Sequence, residues 1–304
     1  MKPSGIGGQA VLEGVMMKNR DRYAVAVRKP DGEIEVEKGH CQSLRDKYFV
    51  CDLPIIRGVV TFVESLVLGM KSLTDSSKYY EDEEEENRQQ MDDAAKERHE
   101  KIETTFTVIL SIVIAVGIFM VLPFFISELL KSIIKSAKVL AVIEGIIRII
   151  MFIGYVFAIS FVEDIKRVFM YHGAEHKTIN CVEHMLPLTV ENVRKQSREH
   201  KRCGTSFIFI VLFISIIFFI FIRVDNMWLK VLYRIVLVPV IAGVSYEFIR
   251  LAGKSENALV NILSKPGMML QKLTTKEPDD SMIEVAIASV EAVFDWKKFQ
   301  EDSK

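Results

Sequence analysis

Two histidines and a glutamate stand close together in Tyr171-His172-Gly173-Ala174-Glu175-His176. On a helix, His172 and His176 are one turn apart and differ by about 40° around the axis. Two imidazoles so placed can share one zinc or iron ion. Glu175 lies about 60° to the other side of His172. H-x-x-E-H is a spacing used in metal-dependent hydrolysis, with the glutamate as general base. The bland alternative is a wet helix end that holds no ion.

An ion needs at least a third ligand. Glu183 falls on the same helical face, but about 10 Å along the axis from His176. His200 and Cys203, in His200-Lys201-Arg202-Cys203-Gly204, are rival donors. Cys181 points to the opposite side of the helix, His184 is intermediate, and His40-Cys41 forms another donor pair. Charges also interrupt apolar runs. Glu144 and Arg148 stand at i, i+4 in the favourable order for an ion pair. Arg148 falls near mid-bilayer, where charge is rarely without purpose. A proton or ion path and a buried structural pair are the two readings, and the structural pair is preferred. Glu247 and Arg250 lie near the end of another apolar run, and Glu247 is a further candidate ligand, supporting group or ion-pair member.

The elements that position these residues are mostly apolar helices. Four stretches match the roughly 20 apolar residues that a bilayer requires: 104–127, 139–162, 204–222 and 231–251. The first and third are apolar all round, unlike the helices of a soluble protein. The larger set of lysines and arginines flanks one side of these spans, including Arg98, Lys101, Lys166, Arg167, Arg198, Arg202 and Arg250. By the positive-inside rule that side is cytoplasmic. Both termini and the loop 163–203 then face the cytoplasm. No signal peptide is expected, because the first apolar run is short and broken by glycines.

The remaining segments are read as soluble. Residues 1–80 form a cytoplasmic N-terminal α+β domain. Tyr23 to Arg28 alternates as a strand, Lys29-Pro30-Asp31-Gly32 is a turn, and Ile34 to Glu37 is the return strand. Gly5 to Met17 lacks the spacing of a phosphate loop, so Gly7, Gly8 and Gly14 are assigned to close backbone packing. The segment 54–73 is interrupted by Arg57 and Glu64 and is read as an interfacial or protein-buried helix. Residues 81–103, which begin Glu-Asp-Glu-Glu-Glu-Glu, form an acidic and polar linker. In the cytoplasmic helical tail, 252–304, Pro266-Gly267 is expected to break an amphipathic helix. A second helix follows Pro278, with Ile283, Ala286, Ile287, Val290 and Val293 on its packed face.

Composition agrees with this reading. The 304 residues are 50% hydrophobic, and mean hydropathy is +0.22. Lys and Arg number 39 against 40 Asp and Glu, which excludes a globally basic nucleic-acid binder. Four cysteines exclude a disulfide-stapled scaffold, and free thiols or metal ligands are expected instead.

Taken together, GGQAVLEGVMM, PIIRGVVTFVESLVLGMKSL, YHGAEHKTINCVE, HKRCGTSF, VSYEFIR and LTTKEPDD resemble the YqhQ-like family of bacterial membrane proteins. The resemblance covers nearly the whole chain and is weakest at 81–101. It implies a bacterial inner-membrane location. The family is functionally uncharacterised and described as predicted metal-dependent enzymes. Carried over by motif, it draws attention to His172, Glu175, His176, Glu183, His200, Cys203 and Glu247. It supplies no reaction, and the fold of soluble inverted zincins is absent.

The fold class expected is an α-helical polytopic membrane protein with about four transmembrane helices and a small α+β domain. The first functional expectation is a metal-dependent membrane enzyme using a divalent ion, zinc by donor type, on a lipid-linked or membrane-embedded substrate. The second is a non-enzymatic scaffold or regulator with a structural metal or none. The third is a small ion or solute transporter using Glu144, Arg148 and Glu247.

Overall fold

The computed structural model describes residues 3–80, 93–200, 202–222, 224, 226–252 and 257–302. The acidic run 81–86 lies outside these residues, as do Ser255 and Glu256. The chain forms two compact units.

The first unit combines 1–80, 156–210 and 242–304. The N-terminal domain, the 163–203 loop and the tail are one body, because strands from the first pack on helices from the other two. The sheet is an antiparallel meander, β1 (Gly7–Val11), β2 (Gly14–Asn19), β3 (Arg22–Arg28) and β4 (Ile34–His40), in that order. Strand β3 alternates as expected, but both of its faces are buried. Val15, Met17, Ala24 and Ala26 meet Tyr171, Ala174, Ile283, Ala286 and Val290 on one face. Val11, Met16, Val25 and Val27 meet Leu68 on the other. The edge strand β4 keeps its charged residues in water, which protects a sheet edge.

The glycine-rich run forms β1 and β2, two strands that the period-two signal missed. A Cβ on Gly14 would sit 2.3 Å from Ala26 O, so only glycine permits this pairing. Gly7, by contrast, has nothing within 4 Å of that position, and the packing role expected of it is withdrawn.

Helix α1 (Leu44–Lys47) and α2 (Ile56–Ser77) follow the sheet. A Cβ on Gly58 would lie 2.8 Å from Gly243 O, so the two backbones touch. Arg57 forms a two-pronged pair with Glu247, both contacts at 2.5 Å. Val63, Leu66, Val67, Met70 and Leu73 of α2 are exposed.

The second unit combines 81–155 and 211–241. Helix α3 (Asp93–Val116) continues through a π-turn, Gly117–Val121, into α4 (Leu122–Leu129). It starts inside the expected linker, since Asp93 onward is already helical. Together these make one candidate span, Ile102–Ser132; α5 (Ala137–Ile159) and a helix at Met227–Ala252 are two more. Among the described residues, three helices are thus long and apolar enough to cross a membrane. The fourth apolar run gives the helix Gly204–Ile220, 17 residues long. At 1.5 Å per residue it reaches about 26 Å, short of the roughly 30 Å of a hydrocarbon core.

After α5 come α6 (Glu163–Glu183), α7 (Val190–Arg194), α8 (Gly204–Ile220), α9 (Met227–Ala252), α10 (Ala258–Thr274), α11 (Asp280–Val293) and α12 (Trp296–Glu301). Helix α10 runs through Pro266, against the break expected there. A helix interior can absorb one proline when packing outweighs the lost hydrogen bond, and Gly267 lets the backbone approach Ser206, whose Cβ would be 3.1 Å from an added one. In α11, Asp279 caps the first turn by accepting from Met282 N at 3.0 Å.

Candidate metal centre

Helix α6 carries the His172 segment through the middle of the first unit. From Tyr171 to Glu183 all but His172 are buried. Gly173 is what lets the chain after α10 cross there. A Cβ on it would meet Lys276 O at 2.0 Å, and Lys276 N donates to Phe169 O at 2.8 Å. This crossing brings Thr274 O to 2.9 Å from His172 Nδ1.

His176 is held in the same manner. Its Nδ1 is 2.6 Å from Arg198 O. Asn180 donates to the carbonyls on either side, Ser197 O at 2.7 Å and Glu199 O at 3.1 Å, and so fixes that loop. A carbonyl only accepts, so both Nδ1 atoms carry the proton. Each Nε2 is then an unprotonated donor, the tautomer that metal-binding histidines take when a second contact orients the ring.

Cys203 immediately precedes α8. Its Sγ lies 3.3 Å from His172 Nε2 and accepts from Thr205 N at 3.3 Å. Among the described residues, donor atoms of His172, His176 and Cys203 all lie within 4.8 Å of one another. The donor set, two imidazoles and a thiol, suits zinc.

Glu175 stands beside this triad, Oε2 3.8 Å from His172 Nε2. Burial pushes its carboxyl up to about 7, against the downward pull of His172 and the Gly8 amide. A Cβ on Gly8 would meet Glu175 Cγ at 2.7 Å, so the bare strand β1 makes room for the carboxylate.

His200 and Glu183, both expected as ligand candidates, stand beside the triad with partners of their own, although Glu183 Oε2 accepts no hydrogen bond among the described residues. His200 Nδ1 accepts from Arg202 N at 3.4 Å, and Nε2 faces Glu183 Oε2 at 3.5 Å. Gln271 clamps the His200 backbone, accepting from its N at 2.9 Å and donating to its O at 2.8 Å. Glu183 Oε1 accepts from Ser4 N and Ser4 Oγ, both at 2.8 Å, and from Arg202 Nη2. Burial acts to raise the Glu183 pKa, but His200, the Ser4 amide and Arg202 outweigh it and hold it at about 2. Burial lowers His200, and burial pushes the Cys181 thiol up to about 11.

The other charges form two separate groups. Glu247 pairs with Arg57, and Arg250 Nη1 is 3.6 Å from it, so it joins an ion pair and not the histidine cluster. In the second unit Glu144 bonds Arg148 at 2.7 Å and Arg234 at 2.9 and 2.6 Å. Arg148 also donates to Ser215 Oγ and Phe119 O, and both guanidiniums lie over the Phe219 ring. Sequence spacing pairs Glu144 with Arg148; Arg234 was missed as its partner, although an arginine in an apolar run was the available signal.

A family described as "Protein of unknown function (DUF1385)" matches residues 53–296. The chain is 37% identical over 290 residues to "Uncharacterized protein YqhQ" of Bacillus subtilis (strain 168), covering 94% of this chain and 91% of that protein. No solved structure matches. The chain therefore belongs to the DUF1385 family, to which its YqhQ-like motifs also pointed.

Proposed function

We propose that this protein is a metal-dependent enzyme of the bacterial cytoplasmic membrane, with four spans, the short Gly204–Ile220 helix being extended by the turn through Phe221 and Ile222, and with both termini and the His172 cluster on the cytoplasmic side. The observation that carries the reading is the convergence of three donors whose competing contacts are already assigned. His172 and His176 spend Nδ1 on backbone carbonyls, and Cys203 completes the set. These three residues would hold a divalent ion, zinc by donor chemistry. Three protein ligands leave a coordination position open, the arrangement of catalytic rather than structural zinc. Such an ion supplies Lewis-acid chemistry to a bound substrate.

Glu175 is the proton-handling group of this reading. Its carboxylate faces the same side of His172 as Cys203 does, and Gly8 leaves it space on the other side. Hydrolysis of a lipid-linked or membrane-embedded substrate is the reaction class that fits a site next to apolar helices. Arg202 lines the same cavity and gives it positive charge.

A second reading has one observation in its favour. The cavity at His172, Glu175, His176 and Cys203 measures about 90 Å³, room for about three waters. If Glu175 closes the coordination as a fourth ligand, the ion is structural and the protein a scaffold or regulator. A transporter built on Glu144 is disfavoured by the buried, fully paired state of that carboxylate.

The test is metal content. The protein is purified in detergent without a histidine tag or chelator and measured by elemental mass spectrometry, beside His172→Ala/His176→Ala. Near-stoichiometric zinc, iron or manganese in the parent and its loss in the variant is the expected result. No metal in the parent, even after divalent ions are added back, overturns the reading.

A further inference from the structure

A second cavity of the first unit, about 930 Å³, is lined by four arginines: Arg20, Arg22, Arg202 and Arg250. Asp21 is the one carboxylate on its wall. Arg20 and Arg22 flank the tip of the β2–β3 hairpin, where Asn19 pairs with Arg22 and Arg20 takes a positive φ of 56°. That conformation is uncommon for a residue other than glycine, and here it sets an exposed guanidinium at the tip. Neither Arg20 nor Arg22 has an ion-pair partner among the described residues. Arg202 gives one nitrogen to Glu183, and Arg250 is 3.6 Å from a Glu247 already occupied by Arg57. The cavity therefore carries positive charge that the protein does not neutralise.

Its remaining walls mix the polar Ser4, Asn19 and Tyr246 with an apolar portion. Ile249, Phe294 and Phe299 line the same space. Ile249 and Arg250 belong to the last turns of α9, a candidate membrane span, so the end of that helix builds part of the cavity wall. Several guanidiniums lining one cavity match the oxygens of a phosphate, and an apolar patch at the end of a candidate span matches the first carbons of an acyl or prenyl chain. Arg202 lines both this cavity and the one at His172, which joins the two chemically.

We infer that the cavity bounded by Arg20, Arg22, Arg202 and Arg250 binds the phosphate-bearing headgroup of a membrane amphiphile. Its service as the substrate-binding part of the enzyme rests on the proposed function; the binding itself does not. Arg20 and Arg22 supply two positive charges against the single carboxylate of Asp21, Arg202 links the headgroup to the metal centre, and Arg250 marks the membrane boundary.

The experiment is native mass spectrometry of the full chain in detergent, titrated with phosphatidic acid, with diacylglycerol of the same chains, and with inorganic pyrophosphate. Variants are Arg20→Gln/Arg22→Gln, the control Lys38→Gln/Lys298→Gln at exposed positions outside the cavity, and His172→Ala/His176→Ala. Phosphatidic acid is expected to bind and diacylglycerol not. Loss of two surface charges should weaken binding about 30-fold, against less than about threefold for the control. Pyrophosphate binding as tightly as the lipid would keep the phosphate site and assign it a soluble ligand. Equal binding of diacylglycerol, equal losses in the two double variants, or no binding of either phosphate overturns the inference. Thermal melting of each variant checks its fold. Retained lipid binding in the histidine variant separates this outcome from that of the metal assay.

Discussion

Replacing Gly173 by alanine should damage the candidate site from a distance, through backbone alone. The new Cβ would lie 2.0 Å from Lys276 O and 3.3 Å from Pro278 Cδ. A carbonyl cannot turn aside as a side chain can, so the crossing segment must lift by more than an ångström. Overpacking of this kind costs about 1–3 kcal/mol. Lifting also strains two hydrogen bonds, Lys276 N to Phe169 O and His172 Nδ1 to Thr274 O, each worth about 1 kcal/mol. Alanine's better helix propensity returns about 1 kcal/mol. The net loss is about 2–4 kcal/mol, or a fall of roughly 5–15 °C in melting temperature. Because Thr274 orients His172, zinc affinity should also drop about 10–100-fold. Gly154→Ala is the matched control, since nothing lies within 4 Å of its added Cβ; it should be neutral or slightly stabilising. Melting is followed in detergent by fluorescence and zinc affinity by competition with a chelating dye. If Gly173→Ala melts with the parent and binds zinc equally well, the close crossing does not position His172 and the reasoning fails.

Other consequences concern the neighbouring charges. Glu183 is held near 2 against an ordinary 4.5, so it contributes up to about 3 kcal/mol above pH 4.5, which is lost as pH falls from there toward 2. His200 is depressed below 6.5, so the unfolded chain gains a proton first and stability already declines below about pH 6.5; Glu183→Gln should flatten the acid limb of a melting-temperature profile, and an unchanged profile contradicts the assignment. Glu144→Gln leaves Arg148 and Arg234 facing each other without a counter-ion and should cost about 3–5 kcal/mol, whereas Glu144→Met/Arg148→Met/Arg234→Met should cost less; the reverse order in thermal unfolding would refute a structural role for the cluster. Burial holds the Cys181 thiol near 11, so iodoacetamide at neutral pH should spare it in the folded protein while modifying Cys41 or Cys51, which are partly exposed; peptide mapping reads this directly, and rapid Cys181 labelling would show the helix α6 core to be open.

Much of this arrangement could be read from residue spacing. His172 and His176 at i, i+4 share a helix face, and the structure sets their rings 4.4 Å apart. Apolar length alone marks the helices of the second unit, and the α11 stripe of Ile283, Ala286 and Val290 is buried. What spacing could not decide was the state of each nitrogen. His200 and Cys203 are three residues apart, yet it is Cys203 whose donor atom lies within 4.8 Å of those of His172 and His176, while His200 Nε2 faces Glu183. Glu183 shares the α6 face but stands about 10 Å along it from His176, and it is drawn to Ser4 and Arg202, both distant in sequence. The β1–β2 hairpin was hidden because glycines, which propensity assigns to loops, are required where β2 crosses Ala26 and where β1 passes Glu175. Long-range contacts decided each of these cases, and no local pattern encodes them.

The central claim is that His172, His176 and Cys203 ligate one ion. Its most direct test is the absorption spectrum of the cobalt-loaded protein beside that of Cys203→Ala. The account predicts tetrahedral d–d bands together with a sulfur-to-cobalt charge-transfer band in the parent, and the loss of the charge-transfer band alone in Cys203→Ala. A parent spectrum without a sulfur band, or one that Cys203→Ala leaves unchanged, would contradict it.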